Sequence, residues 1–334
     1  EATITATTIC YDRNWNRIGV TIAGSAIGNY GSSLKYLFYP IDIALDNFSN
    51  IYISDSGNNR IVKWSQNSLE GQLIIGNING AAGNLPNQLN YPTGIYLDKI
   101  NQNLYVVDSG NYRIQKFSLN TTEIPPFNGI TILDQNSVFN AINSSGSSFS
   151  TVYYDNMNNN LYVTDTGNGQ ILLFKNDSTI RVVAGGKEGN TKLYYPFGFY
   201  VDRNLTIYIA DRGNDRIVKW LKNANEGIVI AGDNGKGSNP DQLFAPTDVY
   251  VDETDDDTIY IADSNNNRIQ QWLSNATDGR TIAGNEHGTA VWYSTGFRWP
   301  YKIKFDQQYS LYVTDYQNHR IQKFNLIQNG YGCH

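Results

Sequence analysis

The chain has 334 residues, a formal net charge of −6, 40% hydrophobic residues and 13% aromatic residues. Its aromatic content argues against disorder, and no apolar run reaches the ~18 residues typical of a membrane-spanning helix. The acidic balance, with no cluster of Lys or Arg, argues against a nucleic-acid partner. A length above the ~250–300 residues at which a single compact core stops growing predicts two domains or one domain with a distributed core.

The predicted elements begin with an isolated strand at residues 19–24, GVTIAG. From residue 39 onward one unit recurs six times, with approximate limits 39–90, 91–148, 149–194, 195–244, 245–298 and 299–324. Each unit contains a strand a such as YPIDIALD, a strand b such as NIYISD, a strand c such as RIVKW and, in the first five units, a strand d such as QLIIG. A polar string such as DSGNNR, residues 55–60, joins strands b and c.

This arrangement predicts an all-β fold, a six-bladed β-propeller of four-stranded antiparallel blades. Blades repeated about an axis bury their apolar surface against their neighbours, so residues 1–334 can form a single propeller domain without one large core. The sixth unit ends after strand c at Phe324. We therefore expect residues 19–24 to serve as the outer strand of the last blade and to close the ring, which removes an open sheet edge.

The recurring landmarks also resemble a known family. The string Asp-x-x-Asn-x-Arg-Ile, with Pro-x-Gly-Ile-x-x-Asp before it and Ile-Ala-Gly after it, resembles the NHL repeat of β-propellers, and DYQNHRI at residues 315–321 comes closest to the Asn-His-Leu signature. The third unit departs most, because it has Gln170 in place of Arg and no proline. The resemblance implies a propeller of the extracellular type, but members include RNA-binding modules, a peptide-amidating lyase and adhesion domains, so it implies no single activity.

We interpret the repeated polar string as a structural turn. Asp and Asn bond to nearby backbone, Gly supplies positive φ, and Arg can reach back to the carboxylate. Positions that differ among the units are better candidates for function. Two residues after the strand-a proline, or its equivalent, we expect a ring at the mouth of the central channel: Asp42, Gly94, Thr151, Gly198, Asp248 and Lys302.

The ring has two possible roles. Its polar members Asp42, Thr151, Asp248 and Lys302 could bind a small polar ligand. Alternatively, the ring could be solvated or its charges could pair with one another.

The two cysteines lie on either side of the predicted closure. Cys10 precedes the isolated strand, and Cys333 follows the last unit. We predict a Cys10–Cys333 disulfide that fastens the ring in an oxidising compartment.

Asn-x-Ser/Thr sequons occur six times and, with the cysteines, predict a secreted glycoprotein. Five lie in predicted a–b or c–d loops, so glycans would cover that face of the propeller. The opposite face carries the b–c and d–a loops, including the aromatic segments KYLFYP, KLYYP and VWYSTGFRWP, and we expect it to contact the partner. The predicted glycosylation sites are Asn47, Asn120, Asn143, Asn176, Asn204 and Asn275.

The sequence thus predicts a secreted, non-catalytic binding or adhesion module for a protein or glycan partner, with self-association as one mode. We expect no cofactor, no metal site and no direct membrane insertion. One alternative is a metal-dependent lyase or lactonase at the channel mouth, although His287, His319 and His334 are the only histidines. The other alternative is a structural propeller that assembles into extracellular fibres or matrix.

Overall fold

The computed structural model describes residues 13–186 and 191–328. Alternating apolar sequences form short strands that run in antiparallel order, as their period of two requires. In chain order the strands are β1 (Asn14–Trp15), β2 (Val20–Gly24), β3 (Pro40–Leu45), β4 (Ile51–Asp55), β5 (Arg60–Trp64), β6 (Gln72–Gly76), β7 (Pro92–Asp98), β8 (Asn103–Asp108), β9 (Arg113–Ser118), β10 (Ile130–Asp134), β11 (Phe149–Asp155), β12 (Asn160–Asp165), β13 (Gln170–Phe174), β14 (Ile180–Gly185), β15 (Phe199–Val201), β16 (Ile207–Asp211), β17 (Arg216–Trp220), β18 (Ile228–Gly232), β19 (Asp248–Asp252), β20 (Thr258–Asp263), β21 (Arg268–Trp272), β22 (Arg280–Gly284), β23 (Pro300–Phe305), β24 (Leu311–Asp315), β25 (Arg320–Phe324) and β26 (Leu326–Gln328).

These strands build six four-stranded antiparallel sheets, which are the blades of a β-propeller. Blades one to five each use four consecutive strands, from β3–β6 to β19–β22. The sixth sheet has the order β2-β25-β24-β23, so the N-terminal strand β2 pairs with the last blade. The predicted all-β six-bladed propeller is therefore confirmed.

The core is distributed between the blades. Six clusters of buried apolar side chains each join two neighbouring blades; one cluster unites Ile61 and Ile75 of the first blade with Leu97 and Leu104 of the second. The tyrosine of each strand b is almost fully buried in these clusters, where it packs between sheets. These tyrosines are Tyr52, Tyr105, Tyr162, Tyr208, Tyr260 and Tyr312.

The closure contains an extra sheet that the sequence pattern did not predict. β1 pairs antiparallel with β26, just beyond the pairing of β2 with β25. Trp15 is 4% exposed, packs between the fifth and sixth blades, and donates its indole N–H to the Tyr309 carbonyl at 2.7 Å. The ring is thus joined by two strand pairings. Cys10 and Cys333, the predicted disulfide partners, lie outside the described residues.

The left-handed backbone at the end of most outer strands explains the recurring Ala-Gly sequence. Gly24 and Gly284, for example, have φ of +79° and +89°, and a Cβ at either would meet a backbone carbonyl of the adjacent turn. In the second blade Asp134 takes the place of this glycine and caps a helix, α1 (Gln135–Ile142), by accepting from the Ser137 N–H. Within the described residues, no helix has the length and apolar content needed to cross a membrane.

Candidate functional site

The b–c turns are held by the aspartate that begins each of them. Asp55 accepts hydrogen bonds from Arg60 Nε at 2.8 Å, Asn58 Nδ2 at 2.9 Å and the Phe38 N–H at 2.7 Å. Burial raises the pKa of Asp55 to about 6, and the Arg60 guanidinium opposes this shift. All of these partners lie within one blade, which supports the structural interpretation of the turn. Equivalent pairs are Asp108–Arg113, Asp211–Arg216, Asp263–Arg268 and Asp315–Arg320.

The third blade reaches the same geometry without an arginine. Gln170 Nε2 donates to Asp165 Oδ2 at 2.9 Å, and Ser147 Oγ donates to the same oxygen at 3.0 Å. The Ser148 N–H then takes the place of the backbone donor in the other blades, at 3.0 Å. Two neutral donors therefore replace one guanidinium at this turn.

The polar members of the predicted ring are brought together at the axis. Lys302 Nζ, in the sixth blade, donates to Asp248 Oδ1 of the fifth blade and to Thr151 Oγ1 of the third, each at 2.9 Å. The three residues are between 1% and 4% exposed. We call these three residues and Asp42 the axial network.

Asp42 lies in the same network and bonds to backbone instead of to a side-chain cation. Its two carboxylate oxygens accept from the Ile43 N–H at 2.8 Å and the Ile95 N–H at 3.0 Å, so it links the first two blades. Burial raises the pKa of Asp42, and the charge of Lys302 opposes the shift.

The two glycines of the ring, Gly94 and Gly198, leave room for the network. A Cβ at Gly198 would collide with Asp248 and Lys302, and one at Gly94 would meet the backbone of Thr151. The contacts of the axial network match the mutually paired alternative, and ligand binding at the ring stays a prediction.

An apolar layer covers the axial network on the side of the b–c and d–a loops, which we call the mouth face. Ile41, Phe197 and Tyr301 form a separate buried cluster, and Tyr316 packs against it. Each of the first three immediately precedes a ring residue along the chain. Lys302 Nζ lies 5.8 Å from the centre of the Phe197 ring, so the apolar layer and the network are in contact.

Further aromatic rings extend from this layer to the surface. Tyr316 stacks on Tyr301, with ring centres 4.5 Å apart, and on Tyr39 at 4.8 Å, and it lies at 6.5 Å from Trp299. Its hydroxyl is 2.9 Å from the Tyr91 hydroxyl. Tyr91 and Trp299 are each 39% exposed. We call these five residues the mouth cluster.

Part of the mouth cluster has a strained backbone conformation, and its N–H groups are hydrogen-bonded to side chains of the preceding blade. Tyr39, Tyr91 and Trp299 precede prolines and have φ between +49° and +55°. Their N–H groups donate to His319 Nδ1 at 3.1 Å, Asn59 Oδ1 at 2.7 Å and Asn267 Oδ1 at 3.0 Å, respectively. We call this bond, from a turn side chain of one blade to the residue before the strand-a proline of the next, the inter-blade latch.

The latch is missing on both sides of the third blade. The turn position that supplies the acceptor is Tyr112 in the second blade and Gly169 in the third, and neither side chain offers an oxygen or nitrogen at the required place. The third blade also has no strand-a proline. In the fourth blade Asp215 supplies the latch, accepting from the Ala245 N–H at 2.7 Å.

The histidines lie in different environments. His319 is 6% exposed and packs against the rings of Tyr30, Phe38 and Tyr39. Burial, assisted by the charge of Arg298, lowers the pKa of His319 to about 4. His287 is exposed, in the loop between β22 and β23. Within residues 13–186 and 191–328, no three His, Cys, Asp or Glu side chains are grouped so that they could hold a metal ion.

A cleft of about 460 Å³ beside the fifth blade contains His287 and three arginines, but its two inner arginines already have protein partners. Arg268 bonds to Asp263 and to backbone carbonyls, and Arg280 bonds to Asn14 and Gln271. The mouth face therefore offers the more available side chains.

All six predicted glycosylation sites are exposed, and their positions match the predicted loops. Asn47 and Asn204 lie in a–b loops, and Asn143 follows α1 in a d–a connection. The remaining three lie in c–d loops: Asn120, Asn176 and Asn275.

The sequence interpretation missed two residues of the mouth face, Arg212 and Tyr316. Both directly follow the turn aspartate, within a string that had been interpreted as purely structural. A signal was available, because this position is Ser or Thr in the other four units. The Cζ atom of Arg212 lies 6.0 Å from the centre of the Tyr301 ring, across the mouth from its own blade.

Comparison with known proteins supports the fold and leaves the activity open. The family model of the NHL repeat matches residues 89–117 and 245–272. No curated protein sequence gives a significant match.

Several solved structures share the fold. An auxiliary nutrient binding protein from Bacteroides thetaiotaomicron has a TM-score of 0.68 at 13% identity, over 95% of this chain and 77% of that chain. A catalytically inactive variant of virginiamycin B lyase from Staphylococcus aureus has a TM-score of 0.56 at 13% identity, over 86% and 80%. The nidogen/laminin complex contains a chain with a TM-score of 0.55 at 17% identity, over 78% and 83%. At these identities the similarity establishes the fold alone.

Proposed function

The chain is a six-bladed β-propeller with NHL repeats, and we propose that it is a secreted, glycosylated, non-catalytic binding module whose protein or glycan partner docks on the mouth face. The mouth cluster is the observation that carries this proposal. It places Tyr91 and Trp299, each 39% exposed, beside the stacked rings of Tyr316 and Tyr301. Partly exposed tyrosine and tryptophan supply apolar contact area together with a polar group, which is typical of interface hot spots.

The backbone of the cluster supports the same proposal. Tyr39, Tyr91 and Trp299 keep a left-handed conformation before proline, which costs on the order of 1–3 kcal/mol each. The latch bonds satisfy the N–H groups of these three residues, although Tyr195 adopts the same conformation before Pro196 without a latch. An aromatic surface fixed in this way loses little conformational entropy when a partner binds.

The face that carries the a–b and c–d loops is less suited to a large partner, which supports docking on the mouth face. Five of the six exposed sequon asparagines lie in a–b or c–d loops, so glycans there would obstruct a large partner. The mouth face carries only Asn143, which follows α1 on the connection between the second and third blades. This connection is separated in the ring from the first and sixth blades, which contribute most of the mouth cluster.

Catalysis at the axis has less support. A reacting group must be accessible to substrate, yet Lys302, Asp248 and Thr151 bond to one another and are at most 4% exposed. The relatives of similar fold include both a lyase and binding proteins, so the fold does not discriminate between these functions. The pairing of the axial network favours a binding module.

The test uses glycans as steric blocks on each face. His287→Asn creates an Asn-Gly-Thr sequon in the d–a loop between β22 and β23, and Asn120→Gln removes a sequon from the other face. Both variants and the parent are applied to an array of glycans and purified extracellular-matrix proteins, with mass spectrometry to establish occupancy. We expect binding by the parent and by Asn120→Gln, and loss of binding by the occupied His287→Asn variant. Retained binding by that variant, or the absence of any ligand for the parent, overturns the proposal.

A further inference from the structure

We propose that the ligand recognised at the mouth is a carbohydrate that bears a carboxylate, with the carboxylate on Arg212 and a sugar ring on the mouth cluster. This inference rests on the proposed function and specifies its ligand. It begins from the position after the turn aspartate, where the sequence of the six blades is Ser, Ser, Thr, Arg, Ser and Tyr.

In three blades this position has a structural role that is visible in its contacts. Ser56 donates to the Pro92 carbonyl, Ser109 to the Phe149 carbonyl and Thr166 to the Pro196 carbonyl, so each hydroxyl ties its turn to the next blade. Arg212 and Tyr316 do not form this bond. At two of the six equivalent positions the fold thus replaces a small hydroxyl residue, whose inter-blade hydrogen bond contributes about 1 kcal/mol where it forms, with a larger side chain.

Arg212 is available to a ligand. It is half-buried, and among the described residues its guanidinium makes no hydrogen bond or ion pair; its Cζ atom lies 6.0 Å from the centre of the Tyr301 ring. The neighbouring carboxylate of Asp211 is occupied by Arg216 Nε at 2.9 Å and Asn214 Nδ2 at 2.8 Å. A guanidinium whose hydrogen-bond donors are unused presents a planar fork that fits a carboxylate.

A second positive charge lies on the same face. The Cζ atom of Arg298 is 4.7 Å from the centre of the Trp292 ring, in the connection that leads to Trp299. The turn carboxylate closest in sequence, Asp315, is buried and paired with Arg320 at 2.8 Å. The charges near the cluster therefore favour an anion, although the whole chain carries a net charge of −6.

The remaining features of the mouth favour a sugar over a peptide. An extended peptide binds through unpaired backbone groups at a sheet edge, but the carbonyls of Pro92, Phe149 and Pro196 at the mouth already accept hydroxyl groups. A sugar ring instead needs an aromatic face for its C–H groups and hydroxyl partners at its edge. Tyr91 and Trp299, each 39% exposed, supply the ring surface, and the hydroxyls of Tyr91 and Tyr316, 2.9 Å apart, supply the hydroxyl partners.

The experiment is a calorimetric titration of the intact protein with a glucuronate-containing tetrasaccharide and with the same tetrasaccharide after its carboxylates have been reduced to alcohols. We expect at least tenfold tighter binding of the acidic form, with an affinity that falls as salt is added. Arg212→Gln should lose at least tenfold in affinity for the acidic form only, and Arg212→Lys should recover part of it. Tyr316→Ala should weaken the binding of both forms of the tetrasaccharide. Arg17→Gln is the matched control, because the Arg17 side chain is 82% exposed and forms an ion pair with Glu286 instead of contacting the mouth cluster.

The outcomes separate this inference from the proposed function. Equal binding of the two tetrasaccharides, an unchanged Arg212→Gln variant, or preferential binding of an acidic peptide such as oligoglutamate overturns the inference. If a neutral glycan or a protein nevertheless binds the parent and is blocked in the glycosylated His287→Asn variant, the proposed function stands. If the acidic tetrasaccharide binds but that variant is not blocked, the proposed function fails.

Discussion

The b–c turns and the mouth cluster lie on the same face of the propeller, but one recurs in every blade and the other occurs once. Each turn uses an aspartate that bonds within its own blade, and even the third blade keeps this geometry with Gln170. The mouth cluster draws its rings from different blades and has no symmetric copy in the part of the chain that the structure describes. A repeated residue can be explained by what each blade needs to fold, whereas Arg212 and Tyr316 cannot. We therefore assign stability to the turns and binding to the mouth.

We expect the largest loss of stability from a substitution in a repeated turn. Arg268→Ala removes the partner of the fully buried Asp263 and leaves an uncompensated charge, so we expect a loss of about 3–5 kcal/mol in the free energy of unfolding. Denaturant titration measures this loss. Arg268→Gln should lose less, because Gln170 satisfies the equivalent aspartate in the third blade. A loss below about 1 kcal/mol for Arg268→Ala, or weaker ligand binding by the folded variant, would contradict the assignment of stability to the turns and of binding to the mouth.

We expect the axial network, like the turns, to contribute to stability and not to ligand binding, although it is not repeated. Lys302→Met leaves Asp248 without its cation and Thr151 without a donor, and we expect a loss of about 2–3 kcal/mol. Adding Asp248→Asn should recover part of this loss because the buried charge is removed. Ligand affinity at the mouth should stay unchanged in both variants. An affinity loss without unfolding would instead support a ligand at the ring itself.

His319 should make one latch sensitive to pH. It accepts the Tyr39 N–H through Nδ1 and must be neutral to do so, and its pKa of about 4 lies below the ordinary 6.5. The unfolded chain therefore binds the proton at higher pH than the folded chain, so stability is complete above pH 6.5 and decreases as the pH falls toward 4. We expect a decrease of about 2 kcal/mol in unfolding free energy over this range.

His319→Asn is the control for that pH dependence. Asn59 and Asn267 form the same latch bond at other blades, so asparagine can keep the bond without titrating. The turn aspartates titrate in the same pH range, but they are present in both proteins. The difference between the pH profiles of the parent and the variant therefore reports His319 alone. Parallel pH profiles for the two proteins would show that His319 is not the titrating group.

The comparison also shows what could be predicted from the sequence. The blades and the closure by residues 19–24 were predictable because alternating strands, turn signals and a missing outer strand are all local patterns. The pairing of β1 with β26 was not, since these strands have two and three residues. Helix α1 depends on Asp134 as its cap, at a position where most blades have glycine.

The candidate site was only partly predictable for a physical reason. The ring residues follow from the repeat, because each stands two residues after the strand-a proline or its equivalent. The mouth cluster depends on how rings from several blades pack together, and Arg212 reaches across the mouth toward Tyr301. Contacts between blades are long-range and leave no periodic signal in the sequence. Only the break in the Ser or Thr pattern marked these positions.

The central claim is tested most directly by making the mouth symmetric. The double variant Arg212→Ser, Tyr316→Ser gives every blade a hydroxyl at this position, so it can recover the inter-blade bonds while it removes the proposed ligand contacts. We expect a stability loss of about 2–3 kcal/mol, because Tyr316 packs against the buried cluster and recovered bonds offset only part of that loss, and we expect the folded variant to lose binding to the acidic tetrasaccharide, both measured on the same preparation. A double variant that binds the tetrasaccharide as tightly as the parent would contradict the assignment of binding to the unrepeated residues of the mouth.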